Sequence, residues 1–207
     1  MVRIGIDFDN TIVSYDSVFH RVALEKALIP KELMVSKLSV REHLRRAGLE
    51  QTWIELQGHV YGARMDDAGF YPGMLDFLRW GRESGIAMYI VSHKTRHPFA
   101  GPQYDLHDAA RTWVRKHLSD GSCPYIAADS VYFELTKDAK LARIKALGCD
   151  VFIDDLPEII EAPAFPRATE GILFDPDNHH LDSKLARVQN WQKLQQRIAQ
   201  KLSLTNF

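Results

Sequence analysis

Short apolar runs alternate with amphipathic helical stretches along most of this chain, and each run closes on a polar residue or a turn. The runs lie at residues 4–6, 86–91, 131–135, 151–153 and 171–174, and the helical stretches at 73–84, 106–118, 137–147 and 182 to about 202. A continuous apolar run too short for a buried helix reads as a strand covered on both faces. Repeated β–α alternation of this kind implies an α/β fold with a doubly wound, Rossmann-like parallel sheet and helices on both faces. On such sheets chemistry collects outside the carboxyl ends of the strands. The residues that close the runs are therefore the candidates for function.

The first run closes on Asp7-Phe8-Asp9-Asn10-Thr11. Side chains alternate along a strand, so Asp7 and Asp9 project one way and Phe8 the other. Two like charges held that close are costly unless a cation or a shared proton offsets them. The pair thus suits a hard divalent ion, and Mg²⁺ prefers such oxygen ligands. The second run closes on Ser92-His93. The third leads through Thr136 into Lys137-Asp138-Ala139-Lys140, where a lysine stands at or near a helix start. The fourth closes on Asp154-Asp155. Each residue also has a plainer use. Thr11 can cap a helix, Ser92 can form a turn, and Asp155 can cap the short helix suggested by Leu156-Pro157-Glu158-Ile159-Ile160.

The strand ends offer, in order, Asp-x-Asp-x-Thr, Ser, Lys and Asp-Asp. This ordered set resembles the haloacid dehalogenase (HAD)-like superfamily of aspartate-nucleophile phosphohydrolases, over residues 1 to about 155. The resemblance implies Asp7 as nucleophile and Asp9 as general acid and then base, with the Asp9 backbone carbonyl touching the metal. It implies Thr11 as a positioning group and Ser92 as a donor to a phosphoryl oxygen. A lysine would hold the nucleophile and the phosphoryl group together. Spacing leaves Lys137 and Lys140 both open. Lys140, four residues past the N-cap candidate Thr136, can lean back along the first turn and is favoured, whereas Lys137 lies closer to the strand end. Mg²⁺ would be held by Asp7, Asp9, Asp154 and Asp155. Members that cleave carbon–halogen bonds need no proton donor at the Asp9 position, so its presence disfavours dehalogenation.

The activity implied is a Mg²⁺-dependent phosphatase that hydrolyses a small phosphorylated metabolite through an aspartyl-phosphate. Asp7-Phe8-Asp9-Asn10-Thr11 also resembles deoxynucleotidase-like members, which points to a nucleoside monophosphate. The Ser92-His93-Lys94-Thr95 and Ile153-Asp154-Asp155-Leu156-Pro157-Glu158 segments are similar to bacterial members, some of which accompany surface-carbohydrate synthesis, which points to a sugar phosphate. The rivals are a phosphomutase and a non-catalytic binding or regulatory module on the same fold.

Between the first motif and Pro72 the pattern changes. Val18, Val22, Leu24 and Leu28 keep helical spacing up to Pro30, and Ser39-Val40-Arg41-Glu42 matches a capping box. Trp53, Leu56, Val60 and Met65 stripe a third helix. Three amphipathic helices need a surface of their own. The expected organisation is therefore an α/β core over 1–12 and 71–207, with a small all-helical cap at 13–70. Such a cap would exclude water and select the substrate.

The 207 residues carry a net charge of −1, without the basic footprint of a nucleic-acid binder. No apolar stretch approaches the roughly 20 residues that span a bilayer. Cys123 and Cys149 form neither a disulfide framework nor a zinc pattern. The first strand begins at once, with no room for a signal peptide, so the expected compartment is the cytoplasm and the expected partner a small phosphorylated metabolite. Two loops stand out. Residues 94–104 are cationic and irregular after Ser92-His93, and Asp175-Pro176-Asp177-Asn178-His179-His180 reads as a turn rather than a metal site.

Overall fold

The computed structural model describes residues 1–205, and side chains through residue 201. In chain order the strands and helices are β1 (Arg3–Ile6), β2 (Val13–Ser14), α1 (Asp16–Glu25), α2 (Lys37–Arg46), α3 (Glu50–Tyr61), β3 (Gly69–Phe70), α4 (Met74–Glu83) and β4 (Ala87–His93). There follow α5 (Leu106–His117), β5 (Ser119–Asp120), β6 (Cys123–Pro124), β7 (Val131–Glu134), α6 (Lys137–Leu147), β8 (Val151–Asp154), α7 (Pro157–Ile160), β9 (Glu170–Phe174), β10 (Ala186–Val188) and α8 (Trp191–Thr205).

Six of these strands form one sheet in the order β10-β9-β8-β1-β4-β7, and every neighbouring pair runs parallel. The apolar runs account for it, since β1 and β8 occupy the middle and are buried almost throughout. Alternation along the strands assigns the faces. Val91 packs with Leu141 and Ile144 of α6, and with Phe152 and Ile159. Gly5, level with Phe152 in the sheet, lies so close beneath its ring that an added Cβ would stand 2.6 Å from it. On the opposite face Gly81 of α4 meets Met88, and Trp191 of α8 packs against Phe77 and Phe174. Helices therefore cover both faces, and the fold is a Rossmann-like α/β sheet. Buried Cys149 belongs to the α6 face, where burial pushes its thiol up to about 11, and it packs as an apolar group.

The chain divides into two compact units. One comprises Met1–Ile12, Tyr71–His93 and Ser119–Phe207, and the other Val13–Phe70 with Lys94–Leu118. The second unit therefore takes in helix 106–118, which the helical pattern alone places with the α/β core. Side-chain chemistry explains the difference. Trp113 Nε1 donates to the Ala68 carbonyl at 3.0 Å, Lys116 pairs with Asp66 at 2.5 Å, and His117 lies 3.3 Å from the same carboxylate. Within this unit α1 packs on α2 and α3. Tyr15, Phe19, Trp53 and Tyr61 form an aromatic cluster, and Trp53 is buried in it. The unit is not wholly helical, because β2 and β3 pair over two residues each.

Several expectations shift. Helix α2 starts at Ser36 rather than at the Ser39 capping box. The Ser36 hydroxyl accepts from the Leu38 and Ser39 N–H groups, and Asp16 accepts from Lys37 N at 2.7 Å. The third helix of that region ends at Tyr61, leaving Met65 in a separate 3₁₀ turn. The terminal helix starts at Trp191, not Asp182. Residues 186–188 instead add a last parallel strand, held where Asp175 N–H donates to Val188 O and Arg187 pairs with Asp175. The Asp175 carboxylate also accepts from the His179 and His180 N–H groups, which makes that segment a tied turn.

Candidate active site

The α/β unit brings together residues from three separate stretches of chain at the carboxyl ends of β1 and β8. Asp7 follows β1 directly, and its N–H donates to Ile153 O at 2.9 Å, which keeps it in register with Asp154 on the neighbouring strand. Paired positions in a parallel ladder share a face, so Asp7 and Asp154 project toward α6. From that helix comes Lys140. Thr136 caps α6, its hydroxyl accepting from Ala139 N at 3.1 Å, and Gly148 closes it in the left-handed conformation. A long side chain in the first turn points back toward the helix start. Lys140 Nζ accordingly donates to Asp7 Oδ1 at 2.5 Å and to Asp154 Oδ2 at 2.6 Å, and it stands over the Phe152 ring. Lys140 and Asp154 are 0 % exposed and Asp7 is 3 % exposed. Lys137 goes elsewhere, pairing with Glu158 at 2.9 Å on the surface. Of the two lysines left open by spacing, only Lys140 reaches the carboxylates.

Electrostatics here are set by depth. Burial pushes the Asp154 carboxyl above the usual range, and the opposing charge of Lys140 offsets only part of that rise. Burial alone would lower Lys140, but the negative charges of Asp7 and Asp154 outweigh it and hold the ammonium charged.

Asp7, Asp154 and Asp155 each place a carboxylate oxygen within 4.8 Å of the others. Three hard oxygen donors converging on one point fit a divalent cation such as Mg²⁺, with Lys140 standing beside them. The Asp9 carboxylate is not a member of that group. Asp9 itself occupies the turn after β1 and is partly exposed. The N-cap position of α7 is Leu156 rather than Asp155. The Leu156 N–H is taken by Asp154 Oδ1 at 2.9 Å, and α7 has no side-chain cap.

Thr11 is fully buried, and its hydroxyl oxygen is sealed without a hydrogen-bond partner. The expected bond from Thr11 to Asp9 or to the turn is not made. Ser92 is buried at the end of β4.

Two residues that motif reasoning passes over belong to this neighbourhood. Asn10 adopts φ 59°, a left-handed conformation that Asn tolerates, and its amide donates to Asp155 Oδ2 at 3.3 Å. It thereby ties the first carboxylate motif to the last. An Asn directly after a strand-end acid is the signal that could have marked it. The other is His93, which closes β4. Burial, then the positive charge of Lys140, hold its imidazole below the ordinary range.

In the second unit the cationic loop is largely tied down. Lys94 is 5 % exposed with its ammonium over the Tyr61 ring, Arg96 pairs with Asp105, and His97 contacts the Tyr104 carbonyl.

No protein-family sequence profile matches the chain, and no curated protein matches it. Solved structures do. A predicted phosphatase from Clostridium acetobutylicum aligns with a TM-score of 0.59 at 14% identity, over 96% of this chain and 98% of that one. A HAD-superfamily hydrolase from Ehrlichia chaffeensis aligns with a TM-score of 0.58 at 16% identity, over 96% of both. A HAD family hydrolase from Deinococcus radiodurans R1, solved with bound phosphate and sodium, aligns with a TM-score of 0.54 at 15% identity, over 96% of this chain and 95% of that one. At such identities the likeness is one of fold, and it runs the length of the chain: this protein is built on the α/β fold of the haloacid dehalogenase-superfamily hydrolases.

Proposed function

We propose that this protein is a phosphatase that hydrolyses a small phosphorylated metabolite, a sugar phosphate or a nucleoside monophosphate, through an aspartyl-phosphate. The observation that carries this reading is the fully buried Lys140 bridging Asp7 and Asp154 at the strand ends. A lysine sunk that far into the protein against two acids, with a third acid beside them, is an expensive arrangement for stability alone. It is the arrangement that in-line phosphoryl transfer uses, with a carboxylate nucleophile and fixed positive charge beside it.

Asp7 attacks phosphorus, the bond to the ester oxygen breaks, and Asp9 gives that oxygen its proton. Water then attacks the acyl phosphate while the Asp9 carboxylate takes up a proton, and inorganic phosphate leaves with Asp7 restored. Lys140 donates to Asp7 and orients it, and Ser92 donates to a phosphoryl oxygen. Asp7, Asp154 and Asp155, with the backbone carbonyl of Asp9, would hold Mg²⁺, whose charge offsets that of the phosphoryl oxygens when bound. Asn10 fixes Asp155 for this purpose. A structural neighbour was solved with bound phosphate and sodium, which supports an anion and a cation as ligands on this fold. Both cysteines are free, and no described helix is long and apolar enough to cross a membrane. A reducing cytoplasm is consistent with the free thiols.

The test is Asp7→Asn, assayed for release of phosphate from p-nitrophenyl phosphate with Mg²⁺ present. Turnover is expected to fall by about 10⁴-fold or more, as when a catalytic nucleophile is removed, with the melting curve still cooperative. Retained turnover in purified variant contradicts the proposal.

A further inference from the structure

We infer that His93 is a phosphoryl-contacting residue, its Nε2–H donating to a nonbridging oxygen of the group that Asp7 attacks. The inference rests on the phosphohydrolase reading and adds a residue to it.

Three observations place His93. Val91 packs with Leu141, Ile144 and Phe152 on the α6 face of the sheet. Side chains alternate along a strand, so His93, two residues on, projects to that same face. It is the face from which Lys140 reaches Asp7 and Asp154. His93 is also the last residue of β4, the strand beside β1, so it stands at the carboxyl edge where Asp7 lies. Finally, its ring is oriented by burial. Nδ1 is sealed from solvent with no hydrogen-bond partner, while the residue as a whole is only partly buried.

That third observation determines which nitrogen carries hydrogen. A neutral imidazole has one N–H and one bare lone pair. Burying an orphan N–H is the worse of the two, because orphaned buried donors are rarer and costlier than under-satisfied acceptors. The proton is therefore assigned to Nε2, which is not the sealed nitrogen. The result is a donor at a strand mouth that already carries a nucleophile and a fixed cation. A phosphoryl group presents three charged equatorial oxygens to be stabilised, and a preoriented donor aimed at one of them serves the transition state. Nothing in the motif set calls for a histidine here.

The experiment compares wild type with His93→Ala, His93→Asn and His93→Gln, using inorganic phosphate binding by calorimetry with Mg²⁺ present. Hydrolysis of p-nitrophenyl phosphate and of a small alkyl phosphate is measured alongside. An Asn amide replaces Nδ1 in reach and a Gln amide replaces Nε2. A hydrogen bond to a charged oxygen corresponds to about 10- to 100-fold. Phosphate affinity and kcat are expected to drop by that amount in the Ala and Asn variants with both esters, and the Gln variant recovers a substantial part. Wild-type affinity in His93→Ala, better recovery by Asn than by Gln, or a loss confined to the bulkier ester each overturns the inference and leaves the phosphatase reading in place. Wild-type protein that neither binds nor hydrolyses phosphate overturns both. Should His93→Ala fail to fold, imidazole ¹⁵N spectra of wild type decide the matter. The His93 Nε2 resonance must be protonated and must move on adding phosphate, and an unmoved resonance overturns the inference.

Discussion

Removing the charge of Lys140 strands two buried carboxylates against each other. Breaking a buried pair by deleting one partner costs about 3–5 kcal/mol, because the partner's charge is left without compensation. Lys140→Met is expected to lose that much unfolding free energy in urea melts. Lys137→Met removes only the exposed pair with Glu158, and its change should stay within about 1 kcal/mol. Equal losses in the two variants would mean that Lys140 is not held as described. The contrast also marks the limit of motif spacing. Two lysines three residues apart on a first turn look alike in sequence, since what separates them is depth and direction against Phe152, and those follow only from the packing of α6 on the sheet. Asp7 and Asp154 are different. Both close short apolar runs, and a run long enough to cross a sheet delivers its next residue to the edge. Thr11 shows the opposite case. Its motif position invites a hydrogen bond that its sealed hydroxyl does not make.

At the scale of elements, the position of Asp7 depends on a glycine with no catalytic part. Gly5 leaves room for Phe152, and a Cβ there would press on that ring at 2.6 Å and on Cys149 Sγ at 3.0 Å. Gly5→Ala is expected to cost about 1–3 kcal/mol by overpacking, and to lower kcat more than a surface change of equal stability because β1 ends on the nucleophile. Unchanged melting in Gly5→Ala would show that the sheet has slack here. Strands with continuous apolar runs were legible because burial on both faces demands them, and α6 was legible from Thr136 and Gly148. The start of α8 was not. Residues 182–190 carry helix-compatible types, but Arg187 is drawn to Asp175, twelve residues earlier, and Asn190 accepts from Lys193 N to begin the helix late. Helix α5 was misplaced for the same kind of reason. Its partner Ala68 lies 45 residues away, and local periodicity carries no trace of it.

For the whole molecule, acid sensitivity has a definite sign. Asp175 is 3 % exposed. Burial would raise its pKa, but the His180 N–H, the Arg187 guanidinium and the His179 N–H together outweigh that and hold it below the usual carboxylate range. A carboxyl depressed in the folded state binds its proton more weakly there than in the unfolded chain. Its contribution is complete above the unfolded value of about 4 and drains away as pH falls through the folded one. Asp175→Asn is therefore expected to be about 1–3 kcal/mol less stable than wild type at pH 7, the value of a hydrogen-bonded charge. The gap should close below about pH 4. A gap that is constant with pH would mean that the carboxylate is not the group responsible.

One consequence of the Lys140 bridge reaches beyond the single protein. An enzyme usually retires by losing its nucleophile while the scaffold stays sound, but here the acid and the base neutralise each other out of reach of water. A descendant could still lose Asp7 alone, because Asp154 would keep Lys140 paired, but losing Lys140 would call for an uncharged side chain at Asp7 or Asp154 as well. Inactive relatives of this chain should then carry a replacement of Lys140 only alongside one at Asp7 or Asp154.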